Sequence, residues 1–130
     1  MAKNDILETL LQRAEQKEED RIKSFSIKSK ALGDEVTVIV PPLKKLLDLI
    51  DSGQDAESTA DGLEANAEVV YESIPVLKEN YKALSEAYDE KDVAVLTIKI
   101  FNAADAVGEI SDIAEKIMDS RGIFAKTVKN

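Results

Sequence analysis

Carboxylates are the main side chains with which this sequence could do chemistry. The chain has 26 Asp and Glu among 130 residues, but it has no His and no Cys. Without imidazole or thiol groups, a Ser-His-Asp triad, a cysteine nucleophile, a disulfide and a His- or Cys-based metal site are all excluded. Catalysis would therefore depend on clustered carboxylates that hold a divalent cation such as Mg²⁺.

One acidic pattern has helical spacing. Glu64, Glu68 and Glu72 follow one another every four residues, which places them on one face of a helix. Carboxylate-bridged dinuclear metal sites in helical bundles also need a His three residues after a Glu, and this sequence has none. We therefore interpret this row of glutamates as a solvated face and expect no metal ion there.

A second pattern consists of two Glu-x-x-Asp pairs. Glu86 with Asp89 and Glu109 with Asp112 have the spacing found in all-helical nucleotide pyrophosphohydrolases, which hold Mg²⁺ between facing helices. Two loose matches are expected by chance in a chain with 26 acidic residues. An enzyme of that kind stays an alternative, and the main expectation is a protein without catalytic residues or cofactors.

The acidic excess lies in one part of the chain. The net charge is −9; residues 1–50 have nine acidic and nine basic side chains, and residues 93–130 have five of each. Residues 51–92 have twelve acidic and three basic side chains. Lys and Arg that neutralise phosphates drive binding to nucleic acids and anionic membranes, so we expect neither partner. No apolar run reaches the roughly 18–20 residues of a membrane span, and we expect a cytoplasmic protein.

The most distinctive apolar feature is near the N-terminus. Ile6, Leu7, Leu10 and Leu11 have the spacing of one helical stripe, and the polar residues 15–21 separate this stripe from the rest of the chain. One interpretation is that the stripe packs onto the core. The other is an amphipathic arm over residues 1–22 whose four large side chains bind a groove in another chain.

The elements after residue 22 are predicted from a change in periodicity. Alternation around Phe25 and Ile27, and again from Val36 to Val40, predicts a β-hairpin with its turn at residues 32–35. Residues 53–61 are predicted to be a polar loop. Helical stripes come after the hairpin; their members include Leu43, Leu46, Leu47 and Ile50, then Leu63, Ala67, Val70 and Ile74, and later Val107, Ile110, Ile113 and Ile117. Residues 93–102 could form a strand by propensity, but their length and the predicted N-cap Asp92 favour a buried helix.

These signals predict an α+β fold that is mostly α. An N-terminal β-hairpin precedes a small bundle of four to five helices, and residues 23–124 form one domain. Residues 125–130 are expected to be a frayed tail.

The order of elements in residues 23–124 resembles the tail assembly chaperones of phages and prophages of Gram-positive bacteria, the XkdN-like group. The resemblance rests on four stretches in sequence: ALGDEVTV (Ala31–Val38), PPLKKLLDLID (Pro41–Asp51), DGLEANAEVVYESIPVL (Asp61–Leu77) and VGEISDIAEKIMDSRGIF (Val107–Phe124). All four are structural motifs, so their order and spacing support the resemblance more than any single stretch does.

The resemblance implies a protein that is not an enzyme. Such chaperones bind the tape measure protein, keep it soluble in the bacterial host cytoplasm, promote polymerisation of the tail tube around it and are absent from the mature virion. They self-associate in some cases, and many are also made as a longer product by −1 ribosomal slippage that recruits tail tube protein. The final residues, Val128-Lys129-Asn130, can be encoded by a slippery sequence.

A third class of function fits the charge distribution. The acidic residues 51–92 would suit a regulatory or inhibitory module, of the immunity or antitoxin kind, that masks a basic partner.

Overall fold

The computed structural model describes residues 3–15, 23–54 and 58–123. Two strands and seven helices lie in these ranges: α1 (Lys3–Glu15), β1 (Lys23–Ser29), β2 (Asp34–Val40), α2 (Leu43–Gln54), α3 (Thr59–Ser73), α4 (Pro75–Glu79), α5 (Tyr81–Tyr88), α6 (Val93–Ala103) and α7 (Gly108–Ser120). No helix in these ranges has the length and apolar character needed to cross a membrane.

The two strands form an antiparallel hairpin with Lys23 opposite Val40 and Ser29 opposite Asp34. Alternate residues of both strands face the helices, so Ile27 and Val38 are buried while Ile39 is exposed. The turn occupies residues 30–33, two residues earlier than predicted. Gly33 has φ +81°, a backbone conformation that residues other than glycine rarely adopt, and the next residue begins β2.

Helix α3 lies at the centre of the fold and packs against α2, α6 and α7. The hairpin closes the core through β2, which contacts α3 and α4. The core is largely aliphatic; its buried side chains are Ile27, Val38, Val40, Leu46, Ile50, Ala67, Val69, Val70, Tyr71, Ile74, Leu77, Ala94, Leu96, Ile100, Phe101, Ile110, Ile113, Ala114 and Ile117.

Local capping explains where the central helices begin. The Ser58 side chain accepts a hydrogen bond from the backbone N–H of Asp61 at 3.1 Å, which starts α3. The predicted N-cap of α6 is confirmed, since Asp92 Oδ1 accepts hydrogen bonds from the backbone N–H groups of Ala94 and Val95 at 2.9 and 3.1 Å. Pro75 ends α3 after an extended residue and occupies the first turn of α4, where its missing N–H costs little.

The predicted fold class is confirmed: the chain is mostly helical, with an antiparallel hairpin ahead of the bundle. Six helical segments come after the hairpin, one more than the larger predicted number, because the stretch 75–88 divides at Asn80. The predicted loop 53–61 was too long, since α2 extends to Gln54 and α3 begins at Thr59. The polar segment 16–21, the boundary of the arm at residue 22 and the tail 125–130 lie outside the described residues.

Candidate functional site

The candidate site is the apolar stripe of α1. Ile6, Leu7, Leu10 and Leu11 are between 47% and 54% exposed, and every α1 side chain from residue 5 to 14 is exposed. Residues three and four positions apart share one side of a helix, as Leu7 and Leu10, Ile6 and Leu10, and Leu7 and Leu11 do, so the four side chains form one continuous surface. A soluble helix normally buries such a stripe against another element.

Local interactions within α1 support its helical conformation. Asp5 lies in its first turn and Arg13 in its last turn, which matches the sign of the helix dipole at each end. The Thr9 hydroxyl donates a hydrogen bond to the backbone carbonyl of Asp5 at 2.9 Å. Glu8 and Arg13 border the apolar stripe on opposite sides. Around the helix axis, each lies roughly a quarter to a third of a turn from the centre of the stripe, in opposite directions.

The interpretation in which this stripe packs onto the core is wrong for the structure. Among the described residues, no α1 side chain belongs to the core or packs against its edge. The physical reason is that the hairpin, α2, α3, α6 and α7 already fill the interior with aliphatic side chains. The four predicted partner-binding residues are therefore accessible, and what they bind stays a prediction.

The acidic row on α3 is not a uniform set of carboxylates. Glu72 Oε2 lies 2.8 Å from Lys45 Nζ and 3.4 Å from Lys78 Nζ, which links α2, α3 and α4. Burial raises the pKa of Glu72, but hydrogen bonds and charge from the two lysines outweigh burial and hold that pKa below its ordinary value. Glu72 therefore has a structural role, whereas Glu64 and Glu68 lie half-buried one and two turns nearer the N-terminus of α3.

The two Glu-x-x-Asp pairs occupy different surroundings. Glu109 Oε1 accepts a hydrogen bond from the Ser29 hydroxyl at 2.7 Å, and Oε2 accepts one from the Lys30 backbone N–H at 3.0 Å. Glu86 and Asp89 are exposed at the end of α5. Within the described ranges, no three acidic residues are placed together so that they could hold a metal ion.

A second ion pair holds the start of α6. Glu90 Oε1 lies 3.2 Å from Lys99 Nζ, and Glu90 Oε2 accepts a hydrogen bond from the Asp92 backbone N–H at 3.2 Å. The hydrogen bond from Lys99, followed by that from Asp92, lowers the pKa of Glu90. This carboxylate also serves the fold, because it orients the residue that caps α6.

A groove beside α2 was not predicted. It has a volume of about 680 Å³ and is lined by Lys23, Leu43, Lys44, Leu47, Asp48, Asp51 and Arg121. The sequence pattern placed Leu43 and Leu47 on the core stripe with Leu46 and Ile50, but they are 42% and 41% exposed. The signal was Leu49, which packs against the core beside Leu46 and Ile50 and so leaves Leu43 and Leu47 at the outer edge of the apolar stripe.

Two cations connect the edges of this groove. The Lys23 ammonium donates a hydrogen bond to the Ser120 carbonyl at 2.7 Å, and Arg121 Nε donates one to the Pro41 carbonyl at 3.1 Å. The open end of the hairpin is thereby tied to the end of α7. The walls of the groove are consequently fixed by contacts between elements distant in sequence.

Comparisons of the chain with protein-family models, curated proteins and solved structures gave no match. Functional arguments for this protein therefore depend on its own residues: an exposed aliphatic helix, a preformed groove and an acidic surface.

Proposed function

We propose that the protein is a tail assembly chaperone of a phage or prophage of a Gram-positive bacterium. It binds the tape measure protein in the host cytoplasm, keeps it soluble and promotes tail tube polymerisation around it, and it is absent from the finished particle. The observation that supports this proposal most directly is the exposed stripe of α1, whose four aliphatic side chains are about half accessible.

The stripe suits a helical client. An amphipathic helix binds another helix or a groove through anchors at i, i+3, i+4 and i+7, which is the pattern of Leu7, Leu10, Leu11 and Ala14, and Ile6 lies on the same face one turn before Leu10. Long helical chains with apolar faces aggregate unless those faces are covered. A short helix outside the core can cover such a face without unfolding the domain to which it belongs.

The acidic charge supports a solubilising role. A net charge of −9 makes the chain and its complexes repel one another, which opposes aggregation. The same charge opposes binding to nucleic acid and to anionic membranes. The proposed partners are therefore proteins: the tape measure protein first, and further copies of the chaperone.

Deletion of the gene tests the proposal in a cell that produces the phage. The expected result is filled heads without tails, together with tape measure protein in the insoluble fraction. Restoring the gene should recover tails, while normal tails in the deletion strain would overturn the proposal. The gene order gives an independent check, since the gene is expected between those for the tail tube and the tape measure proteins.

A longer product made by −1 slippage near Lys129 is a further part of this proposal. The extension would recruit tail tube protein to the bound tape measure protein. An AAA codon at Lys129 followed by a long open −1 frame is expected. An AAG codon, or an early stop in that frame, would exclude slippage at this site and leave the chaperone role intact.

A second candidate function is supported by the exposed acids of α3, α4 and α5. Asp61, Glu79, Glu86 and Asp89 are all exposed, whereas the nearby Glu72 and Glu90 are paired with lysines. Such a surface suits an inhibitor that masks a basic partner. Binding of that kind weakens steeply with added salt. Capture of a basic protein that is insensitive to salt would contradict it.

A further inference from the structure

We infer that the α1 stripe of one chain docks in the α2 groove of a second copy, so that two chains exchange their N-terminal helices. Both surfaces are on the described chain. Four of its eight most exposed large hydrophobic side chains are on α1, and two, Leu43 and Leu47, line the groove. Covering one surface with the other removes most of this exposed aliphatic area from water.

The two surfaces match in spacing. Leu43 and Leu47 are four residues apart on α2, as are Leu7 and Leu11 on α1, so each pair lies on one side of its helix. Side chains at this spacing interdigitate when two helices pack lengthwise. The groove volume of about 680 Å³ lies within the roughly 300–1,000 Å³ of sites that accept a ligand of several side chains.

Charge also favours this pairing. Three basic residues, Lys23, Lys44 and Arg121, and two acidic residues, Asp48 and Asp51, line the groove, which leaves a net charge of +1. Among residues 5–14 of α1, Asp5 and Glu8 are acidic and Arg13 is basic, which leaves a net charge of −1. Two copies of a chain with net charge −9 repel each other overall. Their contact is therefore favoured where each side is close to neutral and opposite in sign.

The occupant comes from a second copy because the chain does not close on itself in the structure. None of the described α1 side chains, residues 5–14, lines the groove, and the α1 stripe stays about half exposed. A single helix of 13 residues is about 20 Å long and about 10 Å wide, which is small beside the roughly 800 Å² per partner of a stable interface. Two reciprocal contacts in a twofold dimer double the covered area to about 400 Å² per partner, which is the size of a weak association that depends on concentration.

Complementation between two variants of the full chain tests the inference. An arm variant, Leu7→Glu with Leu11→Glu, keeps its groove, and a groove variant, Leu43→Glu with Leu47→Glu, keeps its arm. Val76→Glu is the matched control, since Val76 is 43% exposed on α4 and lines neither surface. Thermal melting by circular dichroism confirms that each variant is folded, which is expected because all five positions are exposed.

Sedimentation velocity of each sample up to about 200 µM gives the association state. Wild type and the Val76→Glu control should dimerise, and each double variant should dimerise at least about tenfold more weakly. An equal mixture of the arm and groove variants should associate more tightly than either alone, because one intact contact forms between them. A monomeric wild type would overturn the inference, as would a mixture no tighter than its components, which is the result expected if α1 pairs with α1. The α1 stripe is also the proposed binding surface for the tape measure protein, so the client and the second copy exclude each other there. The experiment needs only the purified chain, so its outcome is independent of the tape measure assignment.

Discussion

Removal of the Glu109 carboxylate should destabilise the fold at the junction of the hairpin and α7. This side chain accepts hydrogen bonds from the Ser29 hydroxyl at 2.7 Å and from the Lys30 backbone N–H at 3.0 Å. Ser29 is only 4% exposed, so its hydroxyl has little access to water if the carboxylate is lost. Glu109 also lies in the first turn of α7, where a negative charge is favourable.

The size of the effect is set by these contacts. A hydrogen bond to a charged group contributes about 1.5–3 kcal/mol, and partial solvent access to Glu109 reduces that contribution. Glu109→Ala removes two such bonds and should lower the free energy of unfolding by about 3 kcal/mol. Glu109→Gln keeps the shape and one acceptor oxygen, so about half that loss is expected. At a chain length near 130 residues, 3 kcal/mol corresponds to a fall in Tm of roughly 10 °C.

The assay is urea unfolding followed by circular dichroism, with Asp112→Ala as the control. Asp112 is an exposed acid one turn further along α7, so its loss should change the free energy of unfolding by less than about 0.5 kcal/mol. A double-mutant cycle with Ser29→Ala should give a coupling of about 1 kcal/mol or more. Equal stabilities of Glu109→Ala and Asp112→Ala, or strictly additive losses in the cycle, would refute this reasoning.

Three further predictions concern stability. Asp89 ends α5 at φ 52°, a left-handed backbone conformation that is less favourable for a residue with a side chain than for glycine. Asp89→Gly should therefore raise the free energy of unfolding by up to about 1 kcal/mol in urea titrations. The pKa of Glu72 is lower in the folded chain than its ordinary value of 4.5, so its ion pairs stabilise the fold fully at a pH above 4.5. This contribution is lost as the pH falls through the pKa of the folded state. Glu72→Gln should therefore destabilise the chain near neutral pH and have less effect at about pH 3, as measured by urea unfolding at both values. Ile110 is fully buried, so Ile110→Ala should cost about 2–5 kcal/mol in chemical unfolding, whereas Ile6→Ala on α1 should cost less than about 0.5.

The sequence predicted those elements whose signals are local. Alternation from Val36 to Val40, the Asp92 cap and the Pro75 break each act within a few residues, and the structure has a strand, a helix start and a helix end at these places. The central position of α3 was not predicted, because packing between elements depends on contacts that periodicity does not encode.

The candidate site was only partly predictable for the same reason. Periodicity shows that Leu7 and Leu11 share a face, and equally that Leu43 and Leu47 do, but it does not show whether another element covers that face. The α1 stripe was proposed for binding because a polar segment comes after it. The groove was missed because Leu43 and Leu47 share their helix with the buried Leu46 and Ile50.

The most direct measurement of the central claim is the soluble fraction of the tape measure protein when it is co-expressed with this chain. Wild type and a Val76→Asp control should keep it soluble, because Val76 lies outside α1. Leu7→Asp with Leu11→Asp should leave this chain folded and lose the solubilising effect, since it replaces two of the four exposed aliphatic side chains of the stripe with charge. Tape measure protein that stays equally soluble with the α1 variant would contradict the account.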